Sequence, residues 1–165
     1  MKKLLRTLLL AALLAGGAVQ SALAQSPQSQ QFTVVINLTS ACTVSAVPNV
    51  TFAYTSFQVA ASTASNGAGF NVRCTSGLDY DLGLQSGAGA PTPPGTATLT
   101  GIIDDAVNLT YDLGLSAATA QTGTGNNQNF TVTGTMAGNQ GGTCATPTCT
   151  NGASTNRVHT LIVSW

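Results

Sequence analysis

Serine and threonine are abundant in this chain, but the groups that could activate them are few. There is one histidine, there are four cysteines and five aspartates, and there is no glutamate in the 165 residues. A hydrolytic triad needs a nucleophile, a base and a group that orients the base. His159 stands at an alternating position of the last apolar segment with no nucleophile motif around it, the setting of a packed or rim histidine. Asp79 and Asp81 lie two apart, on one face of an extended segment and opposite Tyr80 and Leu82. Asp104-Asp105 falls where a turn is expected, a common place for aspartate. Glycosidic hydrolysis needs two carboxylates held at a defined separation, and calcium needs a denser set of oxygens. No glycine-rich phosphate loop precedes a helix. The expectation is that the chain is not an enzyme and takes no cofactor.

The cysteines read differently. Met1–Ala24 has the form of a secretory signal: Lys2, Lys3 and Arg6, an apolar run through Leu8–Ala15, and a small-x-small site at Ala22-Leu23-Ala24. The full apolar run, Leu8 to Val19, is about 12 residues, too short to span a bilayer comfortably, and no later segment could span one. In an exported chain four cysteines most simply form two disulfides, and three pairings are possible. Cys42 opens one alternating segment and Cys74 closes another, so they could pair across neighbouring strands. Cys144 and Cys149 flank Ala-Thr-Pro-Thr and suit a local clip. Cys42–Cys74 and Cys144–Cys149 are therefore the bonds expected. A C-x4-C pair with one distant histidine is a poor zinc set, and no metal is expected.

Cleavage after Ala24 leaves 141 residues, the size of one ordinary domain with a real core. Three of the five basic residues leave with the signal. Arg73 and Arg157 then face five aspartates, a formal charge of −3. That balance excludes nucleic acid and anionic membrane surfaces as partners, since both need a basic face. Asn-x-Thr occurs at Asn37, Asn49, Asn108 and Asn129, which chance explains in so Asn- and Thr-rich a chain.

The elements that carry these residues are strands. Cys42, Val44 and Ala46 alternate, as do Phe70, Val72 and Cys74, then Tyr80, Leu82 and Leu84. Leu109, Tyr111, Leu113 and Leu115 follow, then Phe130 and Val132, and lastly His159, Leu161, Val163 and Trp165. Between them lie turn-formers: Ser65-Asn66-Gly67, Ser76-Gly77, Ser86–Gly95, Thr122–Asn127 and Gly138–Gly142. Many short alternating segments with Gly, Asn and Pro punctuation predict an all-β sandwich or barrel. Ahead of all of them, Phe32, Val34, Ile36 and Leu38 occupy every second position, with Val35 the one apolar residue between. Seven residues at roughly 3.3 Å each make a one-faced strand of about 23 Å. A polar tether, Gln25–Gln31, precedes it. Such a strand must be covered, by its own domain or by another molecule.

The ordered set resembles a known family. It comprises the alternating segment running into Ala41-Cys42-Thr43-Val44, then Val50-Thr51-Phe52 and Phe70-Asn71-Val72-Arg73-Cys74. Asn108–Leu113, Phe130–Gly134 and a final Thr160–Trp165 complete it. This order is similar to the spore coat protein U domain family, which includes the Csu-type pilins of archaic chaperone–usher fimbriae. The resemblance implies an incomplete immunoglobulin-like β-sandwich whose last strand is supplied in trans. It divides the chain into a signal peptide (1–24), a tether and N-terminal donor strand (25–41) and a pilin-type domain (42–165). Phe32, Val34, Ile36 and Leu38 become the donor residues, and Leu161, Val163 and Trp165 the C-terminal strand bordering the acceptor groove. The partners implied are a periplasmic pilus chaperone, an outer-membrane usher and neighbouring pilus subunits, on a route through the periplasm to the cell surface. The expected function is that of a structural pilus subunit in adhesion or biofilm formation. The alternative is a non-polymerising surface or coat protein, or an adhesive binding module, of the same fold. Independently of the family, a chain ending at Trp165 within an alternating strand leaves no residues for one more strand, while a spare one stands at the other end.

Overall fold

A computed structural model describes residues 28–165, so the signal reading of residues 1–24 lies outside the described residues. The chain divides into two units, one ending at Asn37 and the other running from Leu38 to Trp165. In the first, residues 28–37 form no strand ladder. A ladder needs a partner backbone, and this segment pairs with none among the described residues.

The second unit is all-β among the described residues. Its strands are β1 (Cys42–Val44), β2 (Ser62–Ser65), β3 (Phe70–Cys74), β4 (Asp79–Ser86), β5 (Thr98–Ile103), β6 (Thr110–Leu115), β7 (Gln121–Thr122), β8 (Gln128–Phe130), β9 (Val132–Met136) and β10 (His159–Ser164). All pairings are antiparallel, in three sheets ordered β1-β3-β8, β10-β4-β7 and β2-β9-β6-β5. This is the all-β sandwich that the alternation predicts, of the immunoglobulin-like kind that the resemblance implies. Its core is one cluster: Phe70, Val72 and Cys74 of β3, Tyr80, Leu82 and Leu84 of β4, Tyr111 and Leu113 of β6, Phe130 of β8, and Val132 and Met136 of β9. The β3, β4 and β6 residues fall at every second position, and Val132 and Met136 flank the inward Gly134, because successive side chains of a strand point to opposite faces.

Three places depart from simple alternation. Phe130 and Val132 read as one segment, yet Phe130 pairs with β3 in one sheet and Val132 with β6 in another. The chain changes sheets at Thr131. Asn66 makes the change possible: its N–H donates to the Val132 carbonyl at 3.0 Å, and its Oδ1 accepts the Val132 N–H at 3.1 Å. The side chain thus stands in for a ladder partner, which is why a residue expected in a turn is only 2% exposed. In β5, Leu99 faces Leu113 and Ile102 faces Tyr111, so Thr100 and Gly101 together oppose the single Asp112. The extra residue is a bulge at Gly101 (φ 66°), whose N–H is held by Asp112 Oδ1 at 2.7 Å. Lastly, Gly134 lies under the Phe52 ring, and a Cβ there would stand 2.4 Å from Phe52 Cζ. The missing side chain lets Phe52, outside any ladder, cover the core beside Tyr111 with ring centroids 5.9 Å apart.

Candidate functional site

Six of the described strands lie at a sheet edge, β1 and β10 among them. β10 pairs with β4 alone and β1 with β3 alone, so each presents a row of unpaired N–H and C=O groups. The side chains tell the same story. Leu161 and Val163 of β10 lie directly opposite Leu84 and Leu82 of β4. The β4 pair is buried, whereas Leu161 and Val163 are only half-buried. On the other edge Val44 lies opposite Val72; Val72 is fully buried and Val44 is 43% exposed. Both edges border one cluster, because Val72, Leu82 and Leu84 all belong to it. Two strands therefore line the same core with their inner faces half open, and Trp165, 61% exposed, stands just past the end of β10.

β10 also shows what its alternation hides. Ile162 is 3% exposed, more buried than Leu161 or Val163, and faces the opposite way. It shares that outer face with Gly83, against which the Pro94–Gly95 turn is folded: a Cβ on Gly83 would lie 2.0 Å from the Pro94 carbonyl oxygen. The outer face is covered and the inner one is only half-buried. The unbroken run Leu161-Ile162-Val163 was the available signal for a strand apolar on both faces.

The remaining candidates have structural partners. Cys42 and Cys74 are bonded across the β1–β3 pair, directly opposite one another, and Cys144 and Cys149 are bonded to each other. Asp79 accepts the Thr122 hydroxyl at 2.9 Å and Asp81 the Ala120 N–H at 2.8 Å, so the pair fastens β7 and its approach to β4. His159 opens β10 half-buried, its Nε2 2.8 Å from Tyr111 Oη and its Nδ1 buried without a partner. Burial holds the imidazole below its usual pKa. Burial, with help from the Asp104 carboxylate, pushes the Tyr111 hydroxyl above its own. Asp104-Asp105 does occupy a turn, between β5 and β6, but Asp104 is 2% exposed and holds residues from far along the chain. In the N-terminal segment Phe32, Val34, Ile36 and Leu38 are between 70% and 87% exposed.

The family model of the spore coat protein U domain matches residues 28–158. The chain belongs to that family. Spore coat protein U domains are found in subunits of chaperone–usher pili, and the matched span takes in Phe32–Leu38 together with β1 to β9. Comparison with curated proteins and with solved structures found no match. For a spore coat protein U domain the open edges of β1 and β10 are the site that calls for an explanation. Nothing in the geometry of Asp79, Asp81 or His159 assembles a nucleophile with a base.

Proposed function

We propose that the mature chain is a structural subunit of a chaperone–usher surface pilus that polymerises by donor-strand exchange, in adhesion or biofilm formation. The observation that carries this reading is the pair of half-open edges. Leu161 and Val163 face the core only half-buried and Val44 is 43% exposed, while the residues opposite them are buried. An extended segment laid along such an edge gains main-chain hydrogen bonds and puts every second side chain into the core, which is β-augmentation. Phe32, Val34, Ile36 and Leu38 have the spacing to do this for another copy. Donation from one subunit to the next does not close on itself, so it builds a fibre. Before assembly an exposed apolar edge is an aggregation hazard. A periplasmic chaperone covering it, and an outer-membrane usher at which the next subunit replaces the chaperone, meet that need.

The test is a pair of substitutions in cells that also make the cognate chaperone and usher. Ile36→Asp places a carboxylate on the inserting face, where an unpaired charge costs several kcal/mol. Asn37→Asp places it on the opposite face. Electron microscopy should show fibres lost with Ile36→Asp and retained with Asn37→Asp, while both variants still purify with the chaperone. Normal fibres from Ile36→Asp would show that this segment is not the donor. A chain that is exported and stays monomeric would instead support the coat-protein alternative.

A further inference from the structure

The connection from β9 to β10, residues 137–158, contains no strand, carries the Cys144–Cys149 clip and is exposed throughout 143–153. Its last part is nevertheless fixed, and the anchors converge on the turn between β5 and β6. Thr143 N–H donates to the Val107 carbonyl at 2.7 Å. Asn151 Nδ2 donates to Asp104 Oδ2 at 2.8 Å, while Asp104 Oδ1 accepts the N–H groups of Ala106 and Val107, each at 3.0 Å. The Asp105 carboxylate accepts both the N–H and the hydroxyl of Thr155. Asn156 donates to the Ile103 carbonyl and accepts from Asp105 N–H and from the buried Ser154 hydroxyl. His159 begins β10 only three residues beyond Asn156.

Such a lock answers a problem set by the sequence. A one-residue slip turns every side chain of a strand to the other face, and register is weakly specified where both faces suit the same residues. Leu161-Ile162-Val163 is such a case, since a slip exchanges Leu161 and Val163 for Ile162 and leaves an apolar face inward either way. β10 has a neighbour on one side only. Its hydrophobic pattern and its single ladder therefore leave the register underdetermined, and the anchored approach supplies what is missing.

We infer that Asp104 and Asp105 are positioning residues that set the register of β10, and with it the face its open edge offers to an incoming strand. The inference rests on the reading of that edge as a strand acceptor. The two carboxylates are suited to a permanent role. Burial raises the Asp104 carboxyl, but the hydrogen bonds from Asn151, Val107 and Ala106 outweigh it and leave it below the ordinary range. Hydrogen bonding from Thr155 does the same for Asp105.

The experiment uses the full mature chain, a synthetic peptide of residues 28–41, and Trp165, the one tryptophan, as reporter at the end of β10. In Asp105→Ala, hydrogen exchange of the β10 amides should rise at least tenfold while that of β6 stays unchanged. The blue shift of Trp165 emission on adding peptide should need at least tenfold more peptide than in the wild type. Asp105→Asn, which keeps an acceptor oxygen for Thr155, should recover part of both. Should Asp105→Ala unfold the whole chain, Thr155→Val removes one donor and gives the same comparison. Unchanged β10 exchange overturns the inference, as does an equal rise in β6 and β10, which would mark the contacts as general stability. A wild type whose Trp165 ignores the peptide refutes the strand-acceptor reading instead, and the exchange comparison still decides the lock.

Discussion

Removing the Cys42–Cys74 bond, by changing both residues to alanine, tests how one wall of the open edge is held. β1 is three residues long, pairs with β3 alone and leaves Val44 43% exposed, so its own contacts with the sandwich are few. The bond closes a loop of 32 residues and the Cys144–Cys149 bond one of 5. In the chain-entropy model these contribute about 3.7 and about 2 kcal/mol. With a urea slope of about 2 kcal/mol/M for a domain of this size, the midpoint should fall by about 1.8 M for Cys42/Cys74 and about 1 M for Cys144/Cys149. Circular dichroism across a urea series on both double variants, with oxidised wild type as reference, measures the two shifts. The reasoning also requires that most of the loss follow β1: in the Cys42/Cys74 variant, exchange at residues 42–44 should approach that of an open chain under native conditions. A larger midpoint shift for the short loop, or β1 amides as protected as before, would refute it.

Two further outcomes follow from particular residues. Gly69 and Gly77 both have positive φ, but a Cβ on Gly69 would meet the Phe130 carbonyl oxygen at 2.3 Å whereas nothing lies within 4 Å of one on Gly77. Gly77→Ala should therefore cost only the left-handed backbone penalty, about 1–2 kcal/mol, and Gly69→Ala clearly more, measured by denaturation. His159 titrates below its usual 6.5 because it is buried, so below that pH the unfolded chain binds a proton that the folded chain refuses. Stability should fall as pH drops beneath about 6.5, in wild type but not in His159→Gln, and the His159 term should vanish above it. Asp104 and Asp105 are lowered too, but by hydrogen bonds that favour the charged form, so their contribution is full above 3.8 and is lost as the pH falls below it.

Much of the fold was legible because it depends on local alternation. Phe70–Cys74, Tyr80–Leu84 and Tyr111–Leu115 each put a large apolar side chain at every second position, and a half-buried strand is the cheapest way to hide them. Cys42 and Cys74 could be placed opposite one another for the same reason. β2 and β5 left no such trace. β2 is Ser-Thr-Ala-Ser, whose small inward residues Ser62 and Ala64 lie opposite Met136 and Gly134, and β5 breaks its period at the Gly101 bulge. Tertiary structure alone decided the sheet change at Thr131, the burial of Asn66 and the grip of Asp104 on Asn151, 47 residues away. Each depends on a polar group that meets a partner far along the chain, Asn66 at Val132 and Asp104 at Asn151, although the Nδ2 of Asn66 stays buried without one. Such a group is costly to bury until the rest of the fold has brought its partner to it, and no local pattern records where that partner will be. The same holds for the open edge. Sequence named Leu161 and Val163 as one face of a strand, but that face stays only half-buried because, among the described residues, β4 is the one strand that pairs with β10.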